Sequence, residues 1–205
     1  MDESSRNCYV APMTDAVAAP IAAEPALPLR FQFNERKGVE ALTYVARQWP
    51  GITAFFASKV LFFAEKMHLN RYARPIVADT FIAMPNGPVP STIYDFIKGQ
   101  LGQAGDPEAI QKALAFSRGQ YPQVTALRDP DSLVLSATDV ECLEEAIAFC
   151  KPRSFSVLSD LTHRERAWAE APQNGAMSYE NMIDEGPDHD EVLEEVREFA
   201  AYGVL

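Results

Sequence analysis

Leu161-Thr162-His163-Arg164-Glu165-Arg166-Ala167-Trp168 is the one constellation of this 205-residue chain worth weighing for acid–base chemistry. Such a pair works only if both side chains reach the same reacting atom. On a helix, residues two apart point away from each other, so His163 and Glu165 are a poor catalytic pair. Thr162 and Glu165, three apart, read instead as a local hydrogen-bonded pair, and His163 as a partly buried ring bonded to backbone. His68, His163 and His189 have no metal-ligand spacing to one another or to the cysteines. Cys142 and Cys150 fall on one expected helix about 12 Å apart at 1.5 Å per residue, beyond disulfide reach. With Cys8 they read as small apolar filler and a tail thiol, in keeping with a reducing cytoplasm. No phosphate loop, dinucleotide glycine pattern, nucleophile elbow or H-E-x-x-H helix occurs. The expectation is therefore no catalytic set, no cofactor and no metal. An enzyme using His163 or Glu165 stands only as an alternative.

The composition, 47% hydrophobic and 23% charged, is that of a soluble globular chain able to bury a real core. No apolar run is long enough to span a bilayer, and residues 1–33 lack the pattern of a secretory signal, so neither a membrane nor export is expected. The net charge of −11 divides as −2 over residues 1–33, +3 over 34–100 and −12 over 101–205. Phosphate affinity comes from clustered Lys and Arg, so nucleic acid is not an expected partner. An acidic face permits a basic protein partner and also serves solubility.

Residues 1–33 carry Pro12, Pro20, Pro25 and Pro28 among alanines and read as a flexible arm, with Phe31 and Phe33 tucking onto a domain that spans 34–205. Asn34 caps an expected helix to Trp49, with Val39, Leu42, Val45, Ala46 and Trp49 inward and Lys37 and Glu40 elsewhere. Pro50-Gly51 ends it. Thr53 opens a second helix through Asn70, whose Phe55, Phe56, Val60, Leu61, Phe62, Phe63 and Met67 cover nearly its whole circumference. A helix apolar all round is central, so this one is the expected core rather than a cofactor pocket. Arg71 to Asp79 reads as a polar connection. After it, Gly99, Gly102 and Gly105 mark a loop, and Pro107 starts a helix to about Phe116. Tyr121–Leu127 and Leu133–Leu135 read as β fragments that pair with each other or with a strand at 80–83. Thr138 and Glu141, preceded by Ser136, suggest a capping box for a helix ended by Lys151-Pro152. Ser154 to Ala171 reads as one helix burying Phe155, Leu158, Leu161 and Trp168. Asn174-Gly175 is a turn, and an acidic helix from Asp188 carries the stripe Val192, Leu193, Val196, Phe199 and Ala200. The fold class is mainly α with a small β element, packed around the central apolar helix.

The chain hinges on Asp79 to Phe96. Thr80–Ala83 has strand character, and Ser91 is a plausible N-cap for a helix with Ile93, Phe96 and Ile97 inward. Between them, Met84-Pro85-Asn86-Gly87-Pro88-Val89-Pro90 reads as a rigid irregular loop, because three prolines remove donors and Gly87 tolerates positive φ. A strand feeds a loop that aims a helix.

Lys59-Val60-Leu61-Phe62-Phe63-Ala64-Glu65, then Arg74-Pro75-Ile76-Val77-Ala78-Asp79-Thr80-Phe81-Ile82-Ala83, Asn86-Gly87-Pro88-Val89-Pro90 and Ile93-Tyr94 resemble the Panacea domain. Leu158-Ser159-Asp160-Leu161-Thr162-His163 to Trp168 resembles that family's second signature. The resemblance spans roughly residues 35–170, and at Phe62 this chain lacks a tyrosine hydroxyl that the family's first motif often has. It implies an antitoxin of a bacterial toxin–antitoxin system, the SocA-like group among them, that works in the cytoplasm by binding a cognate protein toxin. On its two motifs the partner-binding candidates are Asn86, Gly87, Pro88, Val89, Tyr94, Thr162, His163, Glu165 and Trp168. Neutralisation would be steric, or by presentation to a AAA+ unfolding protease that residues 1–33 would reach. A phage or host interaction module of the same fold without a toxin partner is the other reading of the resemblance.

Overall fold

A computed structural model describes residues 29–100 and 106–205. Most of the arm, with Cys8, and the loop glycines Gly102 and Gly105 lie outside the described residues. Helix α1 (Glu35–Gln48) starts where Asn34 accepts the Lys37 N–H at 3.0 Å. Helix α2 (Ala54–Tyr72) follows the Pro50–Gly51 turn, where Gly51 has φ 77°. It is the buried axis of the molecule: Ala57, Val60, Phe62, Ala64 and Leu69 are sealed from water, and so are the polar Lys59, Glu65 and His68. Helix α5 (Ala137–Cys150) lies along it, and α1 closes a second side. Phe62, where the resemblance often has a tyrosine, is fully buried and packs edge-on against Phe81 with ring centroids 5.6 Å apart.

Several local expectations fail for tertiary reasons. The segment 84–90 is not irregular: β1 (Phe81–Met84) pairs antiparallel with β2 (Gly87–Pro90) across Pro85-Asn86, with Met84 opposite Gly87. Gly87, the first residue after the Pro85-Asn86 turn, takes φ 96°, a left-handed conformation that glycine tolerates. Prolines 88 and 90 survive in β2 because Lys59, not a strand, bonds its outer side: Lys59 Nζ donates to the Pro88 carbonyl at 2.9 Å. Residues 174–177 run along the other side of β1, with Ala83 N–H donating to Gly175 and Met177 N–H to Phe81. Ser91 is the first residue of α3 (Ser91–Ile97), not its cap. Asp79 caps it from outside the helix, accepting the N–H groups of Thr92 at 3.0 Å and Ile93 at 2.9 Å.

The connection 73–80 is buried at Ile76, Val77 and Ala78 rather than polar. Glu65 explains it, because its carboxylate accepts the N–H groups of these three residues at 3.0, 3.1 and 2.8 Å and the Tyr179 hydroxyl at 3.0 Å. Burial pushes the Glu65 carboxyl up to about 7, against the pull of these four donors. Helix α4 (Pro107–Ala113) stops early, since Leu114–Phe116 is strand β3, paired with β4 (Val124–Ala126) in a second two-stranded sheet. Leu133, expected in a strand, is 91% exposed. The capping box of α5 is Ser136 with Asp139, two positions before the expected pair. Lys37 and Glu40 of α1 are buried, Lys37 against Asp139 at 2.8 Å and Glu40 against Arg128 at 2.5 Å.

The expected helix 154–171 is two: α6 (Phe155–His163) and α7 (Arg166–Ala169), broken at Arg164-Glu165. Phe155, expected to be buried, opens α6 and is 44% exposed. Beyond a short 3₁₀ turn at Glu180–Met182, α8 (His189–Tyr202) buries Val196 fully and Val192, Leu193 and Phe199 in part. Phe31 meets Tyr179 edge-on at 4.8 Å and Phe33 packs on Phe96, so the chain docks on the core from Leu29 onward. The class is as expected, mainly α around an apolar helix, with small β elements. Among the described residues, no helix is long and apolar enough to cross a membrane.

Candidate functional site

Both motif regions meet on one face, where the β1–β2 hairpin lies against α6 and α7. Trp168 Nε1 donates to the Met84 carbonyl at 3.1 Å, tying α7 to the hairpin. Thr162 sits directly beneath Gly87: a Cβ there would overlap Thr162 Oγ1 and stand 2.9 Å from Lys59 Nζ. Glycine at 87 is thus needed twice, for its φ and for this close approach. Thr162 turns its own hydroxyl back to the Leu158 and Ser159 carbonyls, each at 3.0 Å. The pair expected between Thr162 and Glu165 therefore does not form through side chains.

Glu165 is the N-cap position of α7 and binds Lys66, which also reaches Asp184 at 2.7 Å. Burial pushes the Lys66 amine down, but the bonds from Asp184 and Glu165 outweigh it and raise it above its ordinary value. With its carboxylate so engaged, and His163 in another helix, Glu165 shares no reacting point with the imidazole. His163 stacks on Trp168, ring centroids 3.8 Å apart at 20°, and its buried Nε2 meets no hydrogen-bond partner. The backbone bond expected for that ring is absent at Nε2.

Of the nine sequence-derived candidates, Gly87, Pro88 and Thr162 are buried inside the clamp. Asn86 is exposed at the hairpin tip, and Val89, Tyr94, His163, Glu165 and Trp168 are half-buried around it. The structure thus brings all but Glu165 to the hairpin and its immediate supports, and Glu165 flanks them through Lys66. No three His, Cys, Asp or Glu side chains gather as a metal set among the described residues.

Sequence reading passed over the residue at the centre. Lys59 is 1% exposed, holds the Pro88 carbonyl, and lies over the Phe55 ring at 4.7 Å from its centroid. Burial pushes its amine down to about 7, against an opposing pull from Cys150. It lines a cleft of about 240 Å³ bounded by Phe55, Tyr94, Tyr121 and Phe155 and by the hairpin. In the sequence it stood only as the first residue of the Lys59–Glu65 motif, a lysine inside an otherwise apolar helix face, with no role attached to it.

Neither curated proteins nor solved structures yield a match to this chain. The model of the family described as "Antitoxin SocA-like, Panacea domain" matches residues 58–169, which run from α2 through α7 and take in the whole hairpin face. α1 and α8 lie outside that segment but pack into the same core. The matched segment is more than half of the chain, and the chain belongs to the SocA-like antitoxin Panacea-domain family.

Proposed function

We propose that this protein is an antitoxin that binds a cognate protein toxin and neutralises it through the hairpin–α6–α7 face. The observation that carries the reading is the family match over 58–169, which includes every one of the nine candidate residues. The clamp supports it physically. A binding surface gains affinity when its shape is set before the partner arrives, since less ordering entropy is lost on contact. Asn86 and Val89 belong to a hairpin held by Lys59, Trp168 and the 174–177 segment, with Tyr94 of α3 and Trp168 of α7 beside it, so the face is set before a partner arrives. Blocking the toxin sterically needs only that face. Delivering it to a AAA+ protease would need the segment before Leu29 as well.

The test is co-expression with the product of the neighbouring open reading frame, read by growth rescue and co-purification. Rescue with a stable complex is expected, and Asn86→Arg or Val89→Arg should abolish both while leaving the fold intact. A neighbour that is harmless alone, or rescue without association, would remove the reading. His163→Gln should rescue like wild type. A folded His163→Gln variant that binds the toxin but cannot neutralise it would favour chemistry at that ring.

A further inference from the structure

Among the described residues two lysines are buried, and they are treated differently. Lys37 pairs with Asp139 at 2.8 Å, whereas Lys59 meets no carboxylate among the described residues. An ammonium has three donors, and the Pro88 carbonyl at 2.9 Å takes one. Phe55 offers its ring face to the same group. A buried amine left this way is costly unless something completes it. The cleft it lines has room for a small side chain, about 240 Å³, and no Asp or Glu among its walls. Its rim is aromatic and open: Tyr121 is 68% exposed, and Phe155, tilted against Phe55 with ring centroids 4.1 Å apart, is 44% exposed.

Resting on the antitoxin reading for the identity of the partner, we propose that this cleft receives an acidic side chain of the toxin, carried on an apolar segment. Its carboxylate completes Lys59, and the apolar neighbours lie against Phe55, Tyr121 and Phe155. Charge complementarity sets the choice: one buried cation in the wall of a cleft, with no acid beside it among the described residues and aromatic surface around it. The groups facing Lys59 are the Pro88 carbonyl from β2, Thr162 from α6, Cys150 from α5 and, across the cleft, the phenols of Tyr94 and Tyr121. Burial pushes the Cys150 thiol up to about 12, so it supplies no counter-charge near neutrality. An arriving carboxylate favours the ammonium, so binding takes up a proton and weakens as pH rises above the free amine's value of about 7.

The probes are acetyl-Phe-Glu-Leu-amide, its Gln counterpart, acetyl-Phe-Leu with a free C-terminal carboxylate, and inorganic phosphate, titrated into the full chain by amide NMR. The Glu peptide should bind at least about tenfold more tightly than the Gln peptide, and more tightly at about pH 6.5 than at about pH 8.5. Lys59→Met, checked for a native spectrum, should erase that preference. Should Lys59→Met disturb the hairpin, Tyr121→Ala at the exposed rim should still weaken the Glu peptide by about threefold or more. Equal affinity for the Glu and Gln peptides overturns the proposal, as does a preference that survives Lys59→Met. Tighter binding of phosphate or of the free C-terminus overturns the acidic side chain as occupant. With the toxin itself, Lys59→Met should weaken the complex at least about tenfold. An unchanged complex would overturn the docking assignment while the antitoxin reading stood. Failure of the wild type to rescue would remove that reading and leave the peptide preference to be judged on its own.

Discussion

Two corners of this molecule each bury a lysine. At the α1–α5 corner, Lys37 meets Asp139, which also accepts the Ser136 N–H of the capping box and lies 3.2 Å from His68 Nε2, itself bonded to Thr138 Oγ1. Burial pushes the Asp139 carboxyl up, but the Lys37 bond and the Ser136 amide outweigh it and hold the group below its ordinary value. At the α2–hairpin corner, Lys59 has a carbonyl and an aromatic face but no acid. Desolvation is similar in kind at both places, and only the partner differs. A compensated charge is architecture, because removing Asp139 strands Lys37. An uncompensated one beside an open cleft has capacity left for something that arrives from outside.

The largest expected effect strikes the compensated corner. Asp139→Leu strands Lys37 and removes half of a capping box, and should cost about 3–5 kcal/mol in urea unfolding. Lys59→Met should cost under about 1 kcal/mol or stabilise the protein, since it replaces an unpaired buried charge by an apolar side chain of similar length. Equal losses at the two sites would erase the distinction. Next comes Gly87→Ala, which forces a methyl toward Thr162 and Lys59 at φ 96° and should cost about 2–3 kcal/mol. It should also loosen the hairpin amides in hydrogen exchange, leaving those of α1 unchanged.

The pH dependence sharpens the contrast further. The unfolded chain keeps Lys59 protonated up to its ordinary value of 10.5, the folded chain only to about 7. Between those values the unfolded state holds the extra proton, so stability rises with pH, by at most about 1.4 kcal/mol per unit. Lys59→Met should flatten that slope between about pH 7 and about pH 9, and an unchanged slope would assign it elsewhere. Smaller still, Trp168→Phe loses one hydrogen bond to Met84 and should cost about 1 kcal/mol. Deleting residues 2–28 should change stability least, by under about 0.5 kcal/mol, provided the cut spares Leu29, Phe31 and Phe33, which pack on the core. If that variant binds toxin but fails to rescue and the toxin's half-life lengthens, delivery to a protease is the mode. Full rescue means the domain blocks the toxin by itself.

How far the sequence could be read depended on the range of each interaction. Helix α2 was legible because apolar residues on every side leave no solvent face, and α1, α5 and α8 because their stripes recur at three and four residues. The clustering of Gly87, Thr162 and Trp168 was legible only as two motifs whose meeting no local pattern implies. The break at Arg164-Glu165 was missed because the apolar spacing runs through it, while Glu165 is held by Lys66, 99 residues away. Strand β3 was missed because Leu114–Phe116 reads as a helix end until Val124–Ala126 supplies a pairing edge.

Periodicity and helix type follow from the chain by itself, because helix bonds and most caps act within four residues. Charge compensation does not. Glu65 gathers amides 11 to 13 residues on and Tyr179 at 114, Asp79 caps a helix 13 residues ahead, and Lys37 finds Asp139 at 102. Each of these polar groups looks alike in sequence. Whether a buried charge is answered, as at Lys37, or left open, as at Lys59, is decided only when distant segments close around it, because desolvation and pairing are set by the finished packing.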